Sequence, residues 1–226
     1  DAINGYDLCW LVEERLEREG SNTALTKDAV EGVLTAAAEV QAAAHNAVRV
    51  TVPPQHKDWE ALVAQSREAL DSVFIPQPQH WNAVLKKFHK IVPAVARAWE
   101  ARPATCWCHG DLHMGNAMQR TPGGRWVLLD LALMHPGHWV EDAVYFERQY
   151  WHRKADLNGV KPVSAMARAR KRLDLPMPGD HSELANLRRA LMASCVPAAA
   201  RHEGSAAYCD SALALLERLI PLLPHH

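Results

Sequence analysis

The chain has 226 residues, 48% hydrophobic and 23% charged, with a formal net charge of -1 at pH 7. That length suffices for one substantial domain or a domain plus a fragment, and the near-neutral charge gives no electrostatic ground for binding nucleic acid or a membrane surface. No apolar run approaches the roughly 20 residues that span a bilayer, no basic-then-apolar leader opens the chain, and five cysteines without framework spacing read as reduced thiols, so a cytoplasmic enzyme is expected.

In chain order, Leu8-Cys9-Trp10-Leu11-Val12 is an apolar run of strand length that Gly20-Ser21-Asn22 interrupts. Thr26 then caps a helix with Asp28 in its first turn and an apolar stripe of Val30, Val33, Leu34, Ala37, Val40 and Ala44, ending near His45-Asn46. Pro53-Pro54 starts a loop, and a second helix is expected from Trp59 to Val73. After Pro76-Gln77-Pro78, the steps between Trp81, Val84, Leu85, Phe88, Val92, Val95 and Trp99 describe one long helix bent at Pro93. Two short strands follow, Thr105 to Cys108 and Arg125 to Asp130, with Thr121-Pro122-Gly123-Gly124 as the turn. Cys106 and Cys108 are expected to alternate with Trp107 on a buried strand. Helices are expected again over Glu141 to Lys154, Glu183 to Ala200 and Ser205 to Leu222. Between the first two lies the basic run Arg168, Arg170, Lys171, Arg172, read as a solvated face or as cations for an anionic substrate.

The segment between the two strands carries chemistry. His109-Gly110-Asp111-Leu112-His113-Met114-Gly115-Asn116 sets an amide five residues after a carboxylate, and Asp130 lies 14 residues further on. This is the catalytic-loop and metal-aspartate spacing of kinases. Asp111 can accept the proton of an attacking hydroxyl, and Asn116 and Asp130 offer hard oxygens to Mg²⁺. Glycines 110 and 115 allow tight bends. The two expected strands, paired as a hairpin, would bring Asp111 and Asp130 to one cleft. Cys106, Cys108, His109 and His113 lack structural-zinc spacing, and the further Asp, His and Asn clusters of a binuclear phosphoesterase are missing.

His-Gly-Asp-Leu-His-x-Gly-Asn resembles the catalytic loop of the aminoglycoside phosphotransferase and choline kinase-like family. Leu129-Asp130-Leu131-Ala132, Gly137 and Glu141-Asp142-Ala143-Val144-Tyr145 extend the likeness, which is strong over residues 104–147. The resemblance implies an α+β, protein-kinase-like fold and an ATP- and Mg²⁺-dependent phosphotransferase acting on a hydroxyl of a small molecule such as an aminoglycoside, sugar or amino alcohol. It makes Asp111 the base and Asn116 and Asp130 the metal ligands. His109, His113 and Asp142 become supporting loop residues, and Glu14, Arg15 and Leu16 become the hinge that bonds the adenine. Residues 1–20 would then close a small lobe and residues 21–226 form the helical large lobe. A glycine-rich phosphate loop and a strand-borne lysine are not found, so most of the small lobe is expected to be absent. Acidic residues in the acceptor pocket would suit a cationic aminoglycoside, with Asp58, Glu60 and Glu183 as candidates. The alternative is a catalytically silent nucleotide- or ligand-binding protein of the same fold.

Overall fold

The computed structural model describes residues 14, 16, 25–54, 56–72, 74–200 and 205–225. Helix α1 (Lys27–Ala47) starts where Thr26 Oγ1 accepts the Ala29 N–H at 3.1 Å, satisfying one of the donors that a first turn leaves open. Its buried face holds Val30, Val33, Leu34 and Ala37, as the stripe implied. Val40 and Ala44 are only partly covered, and Gln41 is buried in their stead. Helix α1 packs on the helix over Pro162–Arg172 and against the strands over Cys106–Cys108 and Trp126–Leu128. The contact to Trp126 is so close that a Cβ on Gly32 would sit 2.2 Å from the indole, so only glycine fits there.

Helix α2 (Trp59–Ala69) is shorter than the expected Trp59–Val73 segment. The expected long helix over Trp81–Trp99 is two helices, α3 (Pro78–His89) and α4 (Val92–Glu100), each with a proline in its first turn. Pro93 has no N–H and its ring would clash with the carbonyl four residues back, so a new helix starts instead of the old one bending. The apolar spacing survives the break, and Trp81, Val84, Leu85, Phe88, Val92, Val95 and Trp99 all enter one core.

The strand pairing differs from the expected hairpin. Strand β1 (Cys106–Cys108) pairs antiparallel with β4 (His135–Gly137). Strand β3 (Trp126–Leu128) pairs with β2 (Ala117–Gln119), a strand the sequence did not announce. The turn at 121–124 was read rightly and its upstream partner wrongly. The three residues after Asn116 are enough to form the ladder, whereas β1 finds its partner only beyond Asp130. Cys106 and Cys108 are buried and Trp107 is less so, as the alternation required.

Helix α5 (Val140–Arg148) stops before the expected Lys154, and residues 154–157 form a 3₁₀ turn closed by Asn158 in a left-handed conformation, φ 48°. The basic run lies on α6 (Pro162–Arg172), a helix missed in the sequence. One of its cations, Arg170, is 1% exposed, so the solvated-face reading fails for that residue. Pro197 divides the expected helix over Glu183–Ala200 into α7 (His181–Ser194) and α8 (Val196–Ala199). Helix α9 (Ala206–Leu219) closes the chain, with a 3₁₀ turn over Ile220–Leu222. Helix α7 packs against α4, α5 and α9, making it the centre of the helical body, and α2 packs on α8. Among the described residues no helix is long and apolar enough to cross a membrane.

Candidate active site

Strand β1 delivers the chain into a loop whose middle residue, Leu112, is fully buried. That anchor leaves Asp111 at the surface of the core, where its carboxylate is held from three sides. Tyr145 Oη on α5 donates to Oδ1 at 2.6 Å, Asn116 Nδ2 donates to Oδ2 at 3.1 Å, and His113 Nε2 lies 3.5 Å from Oδ2. Partial burial alone would raise the Asp111 pKa. The Tyr145 hydroxyl, His113, the Asn116 amide and His109 outweigh it and hold the group below the usual carboxylate range. Asp111 is therefore an anion at neutral pH.

The backbone beneath it is fixed by Asp142. Its Oδ2 accepts the His109 N–H at 2.9 Å, its Oδ1 accepts the Gly110 N–H at 3.0 Å, and Gln41 Nε2 donates to Oδ2 at 2.9 Å. Arg170 donates in turn to Gln41 Oε1, so the buried cation of α6 ends a relay that starts at the loop. Burial raises the Asp142 pKa, and the Gly110 and His109 N–H groups work against that rise. Gly110 itself has φ +85°, and a Cβ there would lie 2.3 Å from the Leu133 carbonyl oxygen. Gly115 needs no such backbone; its role is to leave room for the His113 ring, which would be 2.7 Å from a Cβ.

His109 is 2% exposed. Its Nε2 lies 2.9 Å from the Leu129 carbonyl and its Nδ1 is 3.2 Å from the Asp111 N–H. With Nε2 donating and Nδ1 accepting, the ring ties the loop to the end of β3. His113 Nδ1 likewise accepts the Gly115 N–H at 2.9 Å.

Asn116 spends its Nδ2 on the Asp111 carbonyl (3.0 Å) and carboxylate, which keeps its amide oxygen available as a ligand. The ladder puts Asp130 nearby, because the Leu129 N–H donates to the Asn116 carbonyl at 2.9 Å. Asp130 is exposed and has φ 55°, a left-handed conformation unusual outside glycine. Among the described residues its carboxylate has only a 3.4 Å contact with the Ala132 N–H. A carboxylate presented from a strained backbone and the free amide oxygen of Asn116 are hard oxygen donors of the kind that Mg²⁺ takes.

The zinc alternative does not assemble. Cys106 and Cys108 stand 3.9 Å apart in the core, while His109 and His113 are engaged elsewhere. Among the described residues the metal-like trio is Cys108, His135 and Glu141. There the Cys106 contact and burial push the Cys108 thiol well up, so it stays protonated and donates to the His138 carbonyl at 3.4 Å.

Of the three residues expected to form a hinge, Arg15 lies outside the described residues. Glu14 is exposed and pairs with Arg120 at the end of β2, and Leu16 is partly exposed. A cavity of about 750 Å³ opens beside the loop, with Gly110 and Tyr145 in its wall. Asp58, Glu60 and Glu183 do not line it. Asp58 is instead the cap of α2, accepting the Ala61 N–H at 2.9 Å, and Glu60 and Glu183 are exposed in the first turns of α2 and α7. Sequence reasoning missed Tyr145 and Gln41 as partners of the acidic pair. Tyr145 stood three residues after Asp142, one helical turn along the same face. Gln41 carried a weaker signal, a polar residue inside an apolar stripe.

The family model described as "Phosphotransferase enzyme family" (APH) matches residues 2–172, which span the whole loop and the helices α1 to α6. A search of curated proteins found no match.

Proposed function

The chain belongs to the phosphotransferase enzyme family, and from that premise we propose that it transfers the γ-phosphoryl group of ATP to a hydroxyl of a small molecule. The family implies a protein-kinase-like fold, with which the helix-rich body and small antiparallel ladders agree. In this reading residues 21–226 are the large lobe and Glu14 to Leu16 belong to the hinge. The observation that carries it is the Asp111 carboxylate, held as an anion by Tyr145 and Asn116 next to a large cavity whose wall includes Tyr145 and the adjoining Gly110.

The chemistry follows from those contacts. An acceptor hydroxyl in the cavity meets Asp111, whose carboxylate takes the proton as the hydroxyl oxygen bonds to the γ-phosphorus. The bond from that phosphorus to the bridging oxygen breaks, and ADP leaves with the electron pair. Asn116 and Asp130 would hold Mg²⁺, which when bound offsets charge on the phosphates. Asp142 keeps the loop backbone in place, so that the carboxylate is positioned before the substrates arrive. Tyr145 occupies the Oδ1 lone pair in the resting site, and an acceptor hydroxyl displaces or shares that bond.

Titration of full-length protein with Mg·ATP, against an Asp130→Ala variant of unchanged melting temperature, tests the assignment. The variant should lose the Mg²⁺-dependent part of nucleotide binding. Equal Mg·ATP affinity would show that Asp130 holds no cation.

A further inference from the structure

The cavity beside the catalytic loop is lined by five cations, Lys57, Arg102, Arg148, Arg153 and Arg188. Two carboxylates share it, Glu100 and Glu141. Both are committed. Glu141 Oε1 takes the Arg102 Nε–H at 3.0 Å and the His138 N–H at 2.9 Å, while Oε2 faces His135 at 3.6 Å. Glu100 Oε2 faces Arg102 at 3.8 Å and His56 at 3.7 Å. Arg153 has Asp156 at 3.6 Å.

Arg188 is different. It is 8% exposed, and among the described residues no carboxylate comes within ion-pair distance and its Nε has no hydrogen-bond partner. Its guanidinium lies 5.5 Å from the Trp59 ring and 5.3 Å from the Trp99 ring. Aromatic faces attract a cation but accept few of its N–H donors. Arg170 also has a buried Nε without a partner, and the difference lies in the terminal nitrogens, which in Arg170 and Arg189 are bonded. Arg170 reaches Gln41 and, at 2.7 Å, the Pro176 carbonyl, and Arg189 grips Glu147 through two bonds of 2.8 and 2.6 Å. A covered guanidinium with donors unspent, aimed into a cavity, asks for an anion. Lys57 shares the same space: burial, and then the Arg188 charge, hold its pKa below the ordinary lysine value.

We propose that Arg188, with Lys57 beside it, binds an anionic group of the acceptor, a carboxylate or a phosphate, while the acceptor's hydroxyl faces Asp111. This rests on the reading of the cavity as the acceptor site of a phosphotransferase. The ligand is then a hydroxy acid or a phosphorylated polyol, the opposite charge class from an aminoglycoside. Trp59, Leu62 and Met192 cover its carbon skeleton.

The test sets glycerate, gluconate and glycerol 3-phosphate against glycerol, choline and kanamycin. With full-length protein and Mg·ATP, ATP consumption is followed, and calorimetry reads acceptor binding separately. Anionic acceptors should be bound and phosphorylated in preference. Arg188→Gln and Lys57→Gln should each raise KM for the anionic acceptor about 10- to 100-fold, the worth of a charge-assisted contact, with kcat changed much less. Arg188→Lys should recover part of the loss, and Lys171→Gln, at an exposed position of α6, should change nothing. Lys57 is exposed, so its variant folds even where loss of Arg188 does not. Preference for neutral or cationic acceptors, or a KM indifferent to both substitutions, overturns the proposal and leaves the phosphotransferase reading standing. Anion binding that is lost in Lys57→Gln, without ATP consumption by any acceptor, upholds the anion site and defeats that reading. No anion binding and no consumption overturns both.

Discussion

Removing the Asp142 carboxylate should loosen the catalytic loop and destabilise the fold together, and the hydrogen-bond geometry sets the size of the effect. Three donors converge on it, two of them buried and one partly so: the His109 N–H, the Gln41 amide and the Gly110 N–H. Each buried donor left without an acceptor costs about 1 to 3 kcal/mol. Asp142→Ala strands all three, and the relief of an expensive burial returns part, so a net loss of about 3 to 5 kcal/mol is expected. For a chain of this size that is a fall in melting temperature of roughly 6 to 20 °C. Asp142→Asn is nearly isosteric and still cannot rescue the site. Both carboxylate oxygens accept from main-chain N–H groups, so an amide must turn its NH₂ against one of them, at a cost of about 1 to 3 kcal/mol. Urea titration of full-length protein and both variants measures the losses, and phosphoryl transfer measured well below the melting point should fall with them. Stability within about 0.5 kcal/mol of the parent for both variants would refute the reasoning, because that is the range of an ordinary surface substitution.

Gly110→Ala should be tolerated worse than a typical loop change, since the φ of +85° and the Leu133 carbonyl 2.3 Å from the new Cβ act together. Loss of activity and a lowered melting temperature are expected, and a variant as stable and active as the parent would contradict the loop geometry. Acid should destabilise the protein through His138, whose burial lowers its pKa from 6.5 to about 4. Between those values the unfolded chain takes up a proton that the folded one refuses, so stability is full above pH 6.5 and falls as pH drops toward 4, by on the order of 3 kcal/mol. His135, raised by Glu141, contributes with the opposite sign, as stability lost when pH rises past its folded pKa. Urea midpoints from pH 7 to pH 4 should therefore decline more steeply for the parent than for His138→Gln, and equal slopes would remove His138 from the account.

The acidic loop was legible because its parts are contiguous: Asp111 and Asn116 sit five residues apart in a segment bent by Gly110, and local spacing alone unites them. Asp130 was legible as the end of an apolar run. What joins them was not. Strand β1 pairs with β4, whose partner Gly137 is 31 residues from Cys106, and no local pattern announces a pairing decided by tertiary packing. Pro93 and Pro197 were visible, yet whether a proline bends a helix or ends it depends on whether the next turn can start afresh. The cavity beside the loop was least legible of all. Its cations come from segments as distant as Lys57 and Arg188, and the acidic candidates proposed for it turned out to be a helix cap and two exposed first-turn residues. A charge near a helix start is more cheaply explained by the open N–H groups there than by a ligand.

The central claim, that Asp111 is the proton acceptor of a phosphoryl transfer, is tested most directly by single-turnover transfer from Mg·ATP in full-length protein and its Asp111→Asn variant. The new amide has nearly the same shape, its oxygen can still accept from Asn116, and its NH₂ meets the Tyr145 hydroxyl, which can turn to accept. A loss of about 10² to 10⁴-fold in the transfer rate is therefore expected, with Mg·ATP affinity and melting temperature little changed. Transfer by the variant at the parent's rate would contradict it.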